Sequence, residues 1–168
     1  MGLFKNMKVK KEKNTLEHLW SLEDKNDFII ELDTYIVRKC KYGESLSLLN
    51  EYERVFFLCQ QFEKEVNNGG FNQYYFNSSG ENCYETVQAL KEIKTTHTAK
   101  LLEDANSLFG AEIPKDREKR MELVNNLSET SVGEQWENLD GDFFKYNDDL
   151  LQLNYDYVQA HKDFFINS

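Results

Sequence analysis

Apolar side chains recur every three or four positions along most of this chain, which is the period of an α-helix. The first such stretch spans residues 27–42 and stops at Gly43, since glycine can close a helix in the left-handed conformation. A second begins after Ser45 or Ser47 as N-cap and ends at residues 69–70. The apolar positions that define these two predicted helices are Phe28, Ile29, Leu32, Ile36, Cys40, Leu49, Tyr52, Phe56, Cys59, Phe62 and Val66.

Shorter helical patterns follow in the second half of the chain. The spacing predicts helices over residues 81–94 and 98–109, the second closed by Gly110. Pro114 is expected to open another helix, because its missing N–H costs nothing in the first turn. Residues 148–165 form the clearest amphipathic pattern, with apolar and acidic side chains on opposite arcs.

The chain shows no strand-like alternation of apolar and polar residues, no internal repeat and no Pro-rich or Gly/Ser-rich linker. We therefore expect one all-α domain, a multi-helix bundle over residues 15–168. Aromatic residues make up 14% of the chain, which supplies material for a real core. Residues 1–14 hold five Lys against one Glu, which predicts a flexible basic N-terminal arm.

Negative charge is concentrated near the C-terminus. The whole chain carries −10, and residues 121–168 contain ten acids against two Lys. This charge repels a phosphate backbone, so we expect no direct binding to nucleic acid and a partner with a basic face. The predicted partner-binding surface consists of these acids: Glu122, Glu129, Glu134, Glu137, Asp140, Asp142, Asp148, Asp149, Asp156 and Asp163.

No known catalytic or metal-binding motif is found. The three histidines lie far apart, and none belongs to an H-E-x-x-H or Glu-x-x-His pair. Asp140-Gly141-Asp142 lacks the later oxygen ligands and the glycine of a calcium loop. We therefore expect a protein that is not an enzyme, with no cofactor and no metal. The three cysteines are few, odd in number and widely spaced, as in reduced cytoplasmic proteins, and no apolar run is long enough for a membrane span.

The most specific local feature is the run of residues 67–80, NNGGFNQYYFNSSG. Its aromatic residues are spaced to dock one face of a short helix into the core, and its amides would pair with groups at nearby helix ends. Ser78 or Ser79 is expected to cap the next helix. We interpret the run as a structural corner between helices; a ligand pocket lined by amides and tyrosines at Asn67, Gln73, Tyr74 and Asn77 is the alternative.

The string N-G-G-F-x-Q-Y-x-x-N-S-S-G resembles the signature of a bacterial family of small acidic helical domains named after DNA mimic protein nineteen. The resemblance covers about residues 25–165, and one departure is Lys94, where the family usually has Gly. The signature positions, which we expect to be structural, are Asn67, Gly69, Gly70, Phe71, Gln73, Tyr74, Asn77, Ser78 and Gly80. Weaker matches include Pro114-x-Asp116-Arg117-x-x-Arg120 and Leu139-Asp140-x-x-Phe143.

The resemblance implies an acidic protein whose carboxylates imitate phosphates and occupy the DNA-binding face of a basic helix-turn-helix regulator. Asp149, Asp156 and Asp163 would lie about 10.5 Å apart on a straight helix, whereas duplex DNA presents a charge about every 1.7 Å of axis. Mimicry would therefore need acids from several elements, or a homodimer. Two alternatives remain: an immunity or antitoxin protein that inhibits a cationic nuclease toxin, and a small polar ligand binder or enzyme that uses the pocket at residues 67–80.

Overall fold

The computed structural model describes residues 16 and 18–166, and the all-α prediction is confirmed for this part of the chain, which contains no β-strand. The predicted arm of residues 1–14 lies outside the described residues. Between residues 25 and 166 eight α-helices follow one another: α1 (Lys25–Lys39), α2 (Glu51–Phe76), α3 (Cys83–Glu92), α4 (Thr96–Ser107), α5 (Arg117–Ser128), α6 (Ser131–Phe143), α7 (Leu150–Ala160) and α8 (Lys162–Ile166). Two short 3₁₀ helices, Leu46–Leu48 and Ser78–Asn82, precede α2 and α3.

Helix α2 forms the centre of the bundle. It packs against α1, α3, α5, α6, α7 and α8, while α4 lies on α3 and α6. Its predicted apolar stripe is buried, with Phe56, Phe62 and Val66 fully enclosed. Phe62 makes edge-to-face contacts with Tyr74 and Phe143, at ring-centroid distances of 5.1 and 5.7 Å. One aromatic core therefore joins the long helix to the C-terminal half of the bundle.

The start of α2 differs from the prediction. The N-cap is Asn50, and neither Ser45 nor Ser47 caps the helix. The Asn50 side chain accepts hydrogen bonds from the backbone N–H groups of Tyr52 and Glu53, both at 3.0 Å, and the Glu53 carboxylate accepts from the Asn50 N–H at 3.0 Å. This reciprocal capping box satisfies more free donors than a serine alone.

Three further boundaries differ from expectation. Pro114 lies outside α5, which begins at Arg117 because the Asp116 carboxylate caps it by accepting from the Lys119 N–H at 3.0 Å. Neither Ser78 nor Ser79 caps α3, since both lie within the 3₁₀ helix before it. The predicted helix over 148–165 is broken at His161, which ends α7 before α8 begins.

Helix α6 has no counterpart among the helices predicted from periodicity. Its apolar residues Val132, Trp136, Leu139 and Phe143 recur at spacings of four, three and four, and they pack on the core, with Trp136 and Phe143 buried. The sequence therefore does carry a narrow helical stripe here, and the prediction is wrong to omit this helix. Gly133 allows its first turn to follow α5 closely, because a Cβ there would lie 2.3 Å from the Ser128 carbonyl oxygen. A tight hairpin of α5 and α6 results.

Candidate functional site

The signature run begins with a break in α2. Gly69 is extended (φ −169°), whereas Gly70 has φ +71° and ψ −170°, a conformation essentially restricted to glycine. The break lets residues 71–76 turn away from the first part of α2 as a short helical segment. The end predicted at residues 69–70 for the second helix therefore corresponds to a real change in chain direction.

An aspartate of α6 caps the segment at its start. The Asp140 carboxylate accepts a hydrogen bond from the Phe71 N–H at 2.7 Å. A Cβ on Gly70 would lie 2.1 Å from the same carboxylate, so glycine is also needed for this approach. Burial raises the pKa of Asp140, while the hydrogen bond from Phe71 acts in the opposite direction. Asp140 thus lies half-buried against the signature.

A buried arginine of α5 binds the other end of the segment. Arg120 is fully buried, and its guanidinium donates to the carbonyls of Tyr75 (2.8 Å) and Asn77 (3.0 Å). It also donates to the carbonyls of Pro114 and Lys115, both at 2.8 Å. These are orphan carbonyls at a helix end and in a loop, which the planar fork of an arginine can satisfy together. Burial lowers the pKa of Arg120.

The polar side chains of the signature converge on one carboxylate of α2. Glu65 accepts from the Gln73 and Asn77 amides, both at 2.8 Å, and from the Ser79 hydroxyl at 3.3 Å. Asn67 is exposed and donates to the Tyr146 hydroxyl at 2.7 Å. The amides named for the alternative ligand pocket thus have partners within the protein.

Gly80 completes the corner by permitting close contact between backbones. A Cβ there would lie 2.7 Å from the Tyr75 Cα and 2.9 Å from the Tyr74 carbonyl oxygen. The ring of Tyr75 packs between Phe109 and Trp136, and its hydroxyl donates to Asn106 at 2.7 Å. The signature run is therefore bound to α2, α4, α5 and α6 by contacts that fix its conformation.

The predicted partner-binding acids divide into two sets. Glu122 and Glu129 lie on α5 and at its end, and Glu134 and Glu137 lie on α6; all four are exposed. None of the four makes an ion pair or hydrogen bond with another described residue. Glu134 and Glu137 are three residues apart, about 4.5 Å along one face of the helix. We call these four carboxylates the acidic band.

The acidic band lies in a stretch of sequence that is poor in basic residues, although Lys119 stands one turn before Glu122 on α5. Residues 121–144 contain six acids and no Lys or Arg. The tight turn between α5 and α6 brings Glu129 next to the start of the helix that carries Glu134. The band therefore consists of exposed acids on two helices that pack against each other.

The other six acids lie apart from the band or have structural contacts. Asp140 caps residues 71–76, Asp148 accepts from the Thr98 N–H at 2.7 Å, and Asp149 caps α7. Asp142 pairs with Lys145, and Asp156 accepts from Gln152 at 2.7 Å. Asp163 lies on α8, so the three aspartates expected on one straight helix occupy two helices.

The described residues contain no group of three His, Cys, Asp or Glu side chains placed to hold a metal ion. His161 is half-buried and stacks on Tyr52, with 4.4 Å between ring centroids. Cys40, Cys59 and Cys83 are buried and free. Within residues 16 and 18–166, every helix is too short or too polar to cross a membrane.

Sequence reasoning missed two of the residues that organise the corner. Arg120 was noted only as part of a family motif, and Glu65 was not noted at all. The sequence around each of these residues is that of an ordinary exposed helix position. The partners of Arg120 lie up to 45 residues away along the chain, so no local pattern indicates that it is buried. The amides of Asn67, Gln73 and Asn77 do indicate that other parts of the chain must supply hydrogen-bond acceptors, but they do not indicate which residues.

Comparison with known proteins identifies the family of this chain. No curated protein and no solved structure matches the chain. The family model for DMP19-like protein matches residues 47–161, which include the whole signature corner and the acidic band. This chain belongs to the DMP19-like protein family.

Proposed function

We propose that this protein is an acidic protein-binding module that occupies the DNA-binding face of a basic, helix-turn-helix type regulator. The observation that carries the proposal is the acidic band, whose four carboxylates are exposed and unpaired in the described part of the chain. Membership of the DMP19-like family supports it, because the family resemblance implies DNA mimicry.

The physical basis is electrostatic complementarity. A regulator that binds DNA presents Lys and Arg side chains to phosphates, and a surface with several exposed acids attracts the same side chains. The acids of the band are sparser than phosphates, so the partner would contact both α5 and α6 at once. Such binding is fast and weakens as salt rises, because exposed charges are screened beyond about 8–10 Å at physiological ionic strength.

Affinity capture followed by DNA competition tests the proposal. The full chain is the bait, and captured proteins are compared at low and high salt. A captured DNA-binding protein is then mixed with its DNA, and this protein is titrated into a gel-shift assay. Release of the DNA supports the proposal. Failure to capture any basic protein at low salt, or a ternary complex that keeps its DNA, would overturn it.

Substitution of the acidic band tests whether binding depends on these four carboxylates or on the total negative charge of the protein. One variant of the bait lacks the four charges of the band, because Gln replaces Glu122, Glu129, Glu134 and Glu137. The matched control removes four exposed acids elsewhere: Glu23, Asp27, Glu31 and Glu112. We expect only the first variant to lose the partner.

The nuclease-toxin alternative would use the same acidic band. It is distinguished by the identity of the captured protein and by a nuclease assay. Inhibition of nucleic acid cleavage by the captured protein would favour the alternative, whereas release of regulator-bound DNA favours the proposal.

A further inference from the structure

The signature run contains the pair Asn68-Gly69, a sequence that is chemically labile wherever the backbone around it can open. It is the only Asn-Gly pair in the chain. An asparagine loses its side-chain amide when the next backbone nitrogen attacks its side-chain carbonyl carbon. Glycine in the next position hinders this attack least, because it has no Cβ. Whether such a pair reacts in a folded protein depends on its exposure, its hydrogen bonds and the freedom of its backbone.

The side chain of Asn68 lies at the surface and is not held by the fold. Asn68 and Gly69 are both exposed, so water and hydroxide reach the pair. The Asn68 amide bonds to no other described residue. The other three asparagines of the run donate to side chains elsewhere: Asn67 to Tyr146, Asn72 to Ser128 and Asn77 to Glu65. Asn68 is therefore the asparagine of the signature whose side chain can rotate without breaking a hydrogen bond to the described part of the chain.

The backbone leaves the helix directly after Asn68, which weakens the restraint that a regular helix imposes. The helical dihedral angles of α2 end there, since Gly69 has φ −169° and Gly70 has φ +71°. In an unbroken helix the Phe71 N–H would bond to the carbonyl four residues earlier, but it donates to the Asp140 carboxylate instead. Asn68 thus lies in the last turn before a break, where local opening disrupts few hydrogen bonds and costs less free energy than in the middle of a helix.

We propose that Asn68 is a site of spontaneous deamidation. The Gly69 backbone nitrogen gives up its proton to hydroxide and attacks the Asn68 side-chain carbonyl carbon, which closes a succinimide ring. The bond from that carbon to the amide nitrogen breaks, and the nitrogen takes up a proton and leaves as ammonia. Water then opens the ring: cleavage at the side-chain carbonyl gives aspartate, and cleavage at the main-chain carbonyl gives isoaspartate. Water is the only co-reactant, and nothing is oxidised or reduced.

The isoaspartate product lengthens the main chain at the start of the signature corner. Its additional methylene enters the backbone directly before Gly69 and Gly70, whose dihedral angles set the direction of residues 71–76. The Phe71 N–H, bound to the Asp140 carboxylate at 2.7 Å, would shift away from this cap. We therefore expect the isoaspartate form to melt at a lower temperature than the unmodified protein. This modification is independent of the acidic band and of the partner that the band binds.

Peptide mapping of aged protein tests the proposal. The full chain is incubated at mildly alkaline pH, native or unfolded in urea, and conversion at each asparagine is followed by mass spectrometry and by isoaspartyl methyltransferase labelling. We expect native Asn68 to react at no less than about one-tenth of its rate in the unfolded chain, because a turn beside a helix break opens readily. Asn77, which precedes Ser78 and is bound to Glu65, should stay intact over the same time. Slower conversion of native Asn68, or equally fast conversion of Asn77, would overturn the proposal.

Two variants connect the modification to the signature corner. Asn68→Gln should melt like the fresh wild type, because this side chain is exposed and unpaired, and it should keep its melting temperature on ageing. Asn68→Asp carries the charge of the product without the longer main chain, so it should also melt close to the fresh wild type. The aged wild type should melt below all three. An equal loss of stability in aged wild type and aged Asn68→Gln, or a loss in Asn68→Asp as large as in the aged wild type, would contradict the assignment.

Discussion

Replacement of Gly70 by alanine should destabilise the protein by about 2–6 kcal/mol, for two separable reasons. A residue with a Cβ at φ +71° and ψ −170° incurs a backbone cost of about 1–3 kcal/mol. The new Cβ would also lie 2.1 Å from the Asp140 carboxylate, which must move and give up its bond to the Phe71 N–H. Loss of that buried bond adds about 1–3 kcal/mol.

A double-mutant cycle separates the two terms. In an Asp140→Ala background the carboxylate is absent, so Gly70→Ala should cost only the backbone part, about 1–3 kcal/mol. Urea unfolding monitored by circular dichroism gives each free energy, with the midpoint shifted and the slope unchanged. Additive effects of the two substitutions would refute a direct link between Gly70 and the Asp140 cap.

The neighbouring glycine serves as the control. Gly69 is extended, a conformation open to any residue, and a Cβ there would meet the Gln73 side chain, with Oε1 at 2.4 Å and Cβ at 2.9 Å. The amide end can move at the cost of its bond to Glu65, and the Cβ contact requires a small shift of the chain, but no left-handed strain is added. Gly69→Ala should therefore destabilise less than Gly70→Ala, and the reverse order would contradict the assignment of strain to Gly70.

Three further predictions concern the core and its thiols. Burial raises the pKa of Asp140 in the folded state, so the ionised carboxylate lowers the free energy of unfolding at pH values above that pKa. This loss of stability is relieved as the pH falls through the folded-state pKa. Asp140→Asn should remove this pH dependence when the unfolding free energy is measured across a pH series. Gly80→Ala should lower the unfolding free energy by about 1–3 kcal/mol through overpacking against the Tyr75 backbone, whereas Gly141→Ala, in open space on α6, should raise it by about 0.5–1 kcal/mol. Burial raises the pKa of the Cys40, Cys59 and Cys83 thiols, that of Cys83 to about 11, and all three side chains are buried. A thiol reagent at neutral pH should therefore label the protein only after unfolding. Rapid labelling of the native protein would contradict the burial of the three cysteines.

Local signals explain which parts of the fold the sequence could predict. The stripe of α2 is read correctly because its large apolar residues recur at helical spacing and are buried together. The break at residues 69–70 is predictable because only glycine readily adopts the conformation seen at Gly70. Both signals depend on residues close together in the chain.

The missed features depend on distant residues or on weak patterns. Asp140 caps a segment that begins 69 residues earlier, so neither sequence alone indicates the pair. Arg120 resembles its exposed neighbours Arg117 and Lys119 in sequence, although it is fully buried. Helix α6 does carry a helical stripe, Val132, Trp136, Leu139 and Phe143, but the stripe is narrow and polar residues fill the positions beside it, so it was not identified among the predicted helices.

The general location of the acidic band could be predicted from the distribution of charge along the sequence. Counting acids identified the C-terminal region, but composition could not separate the exposed carboxylates from those with structural roles. Asp140 and Asp148 both accept backbone hydrogen bonds from other helices, whereas Glu134 and Glu137 remain exposed. That distinction needs the packing of α6 and α7 against the bundle.

The most direct test of the central claim is the salt dependence of affinity for the captured DNA-binding partner. The dissociation constant is measured across a salt series for the wild type, the acidic-band variant and the four-acid control from other surfaces. We expect the wild type and the control to lose affinity steeply as salt rises, and the acidic-band variant to bind weakly with a shallow salt dependence. Equal affinity and equal salt dependence for all three proteins would contradict this expectation.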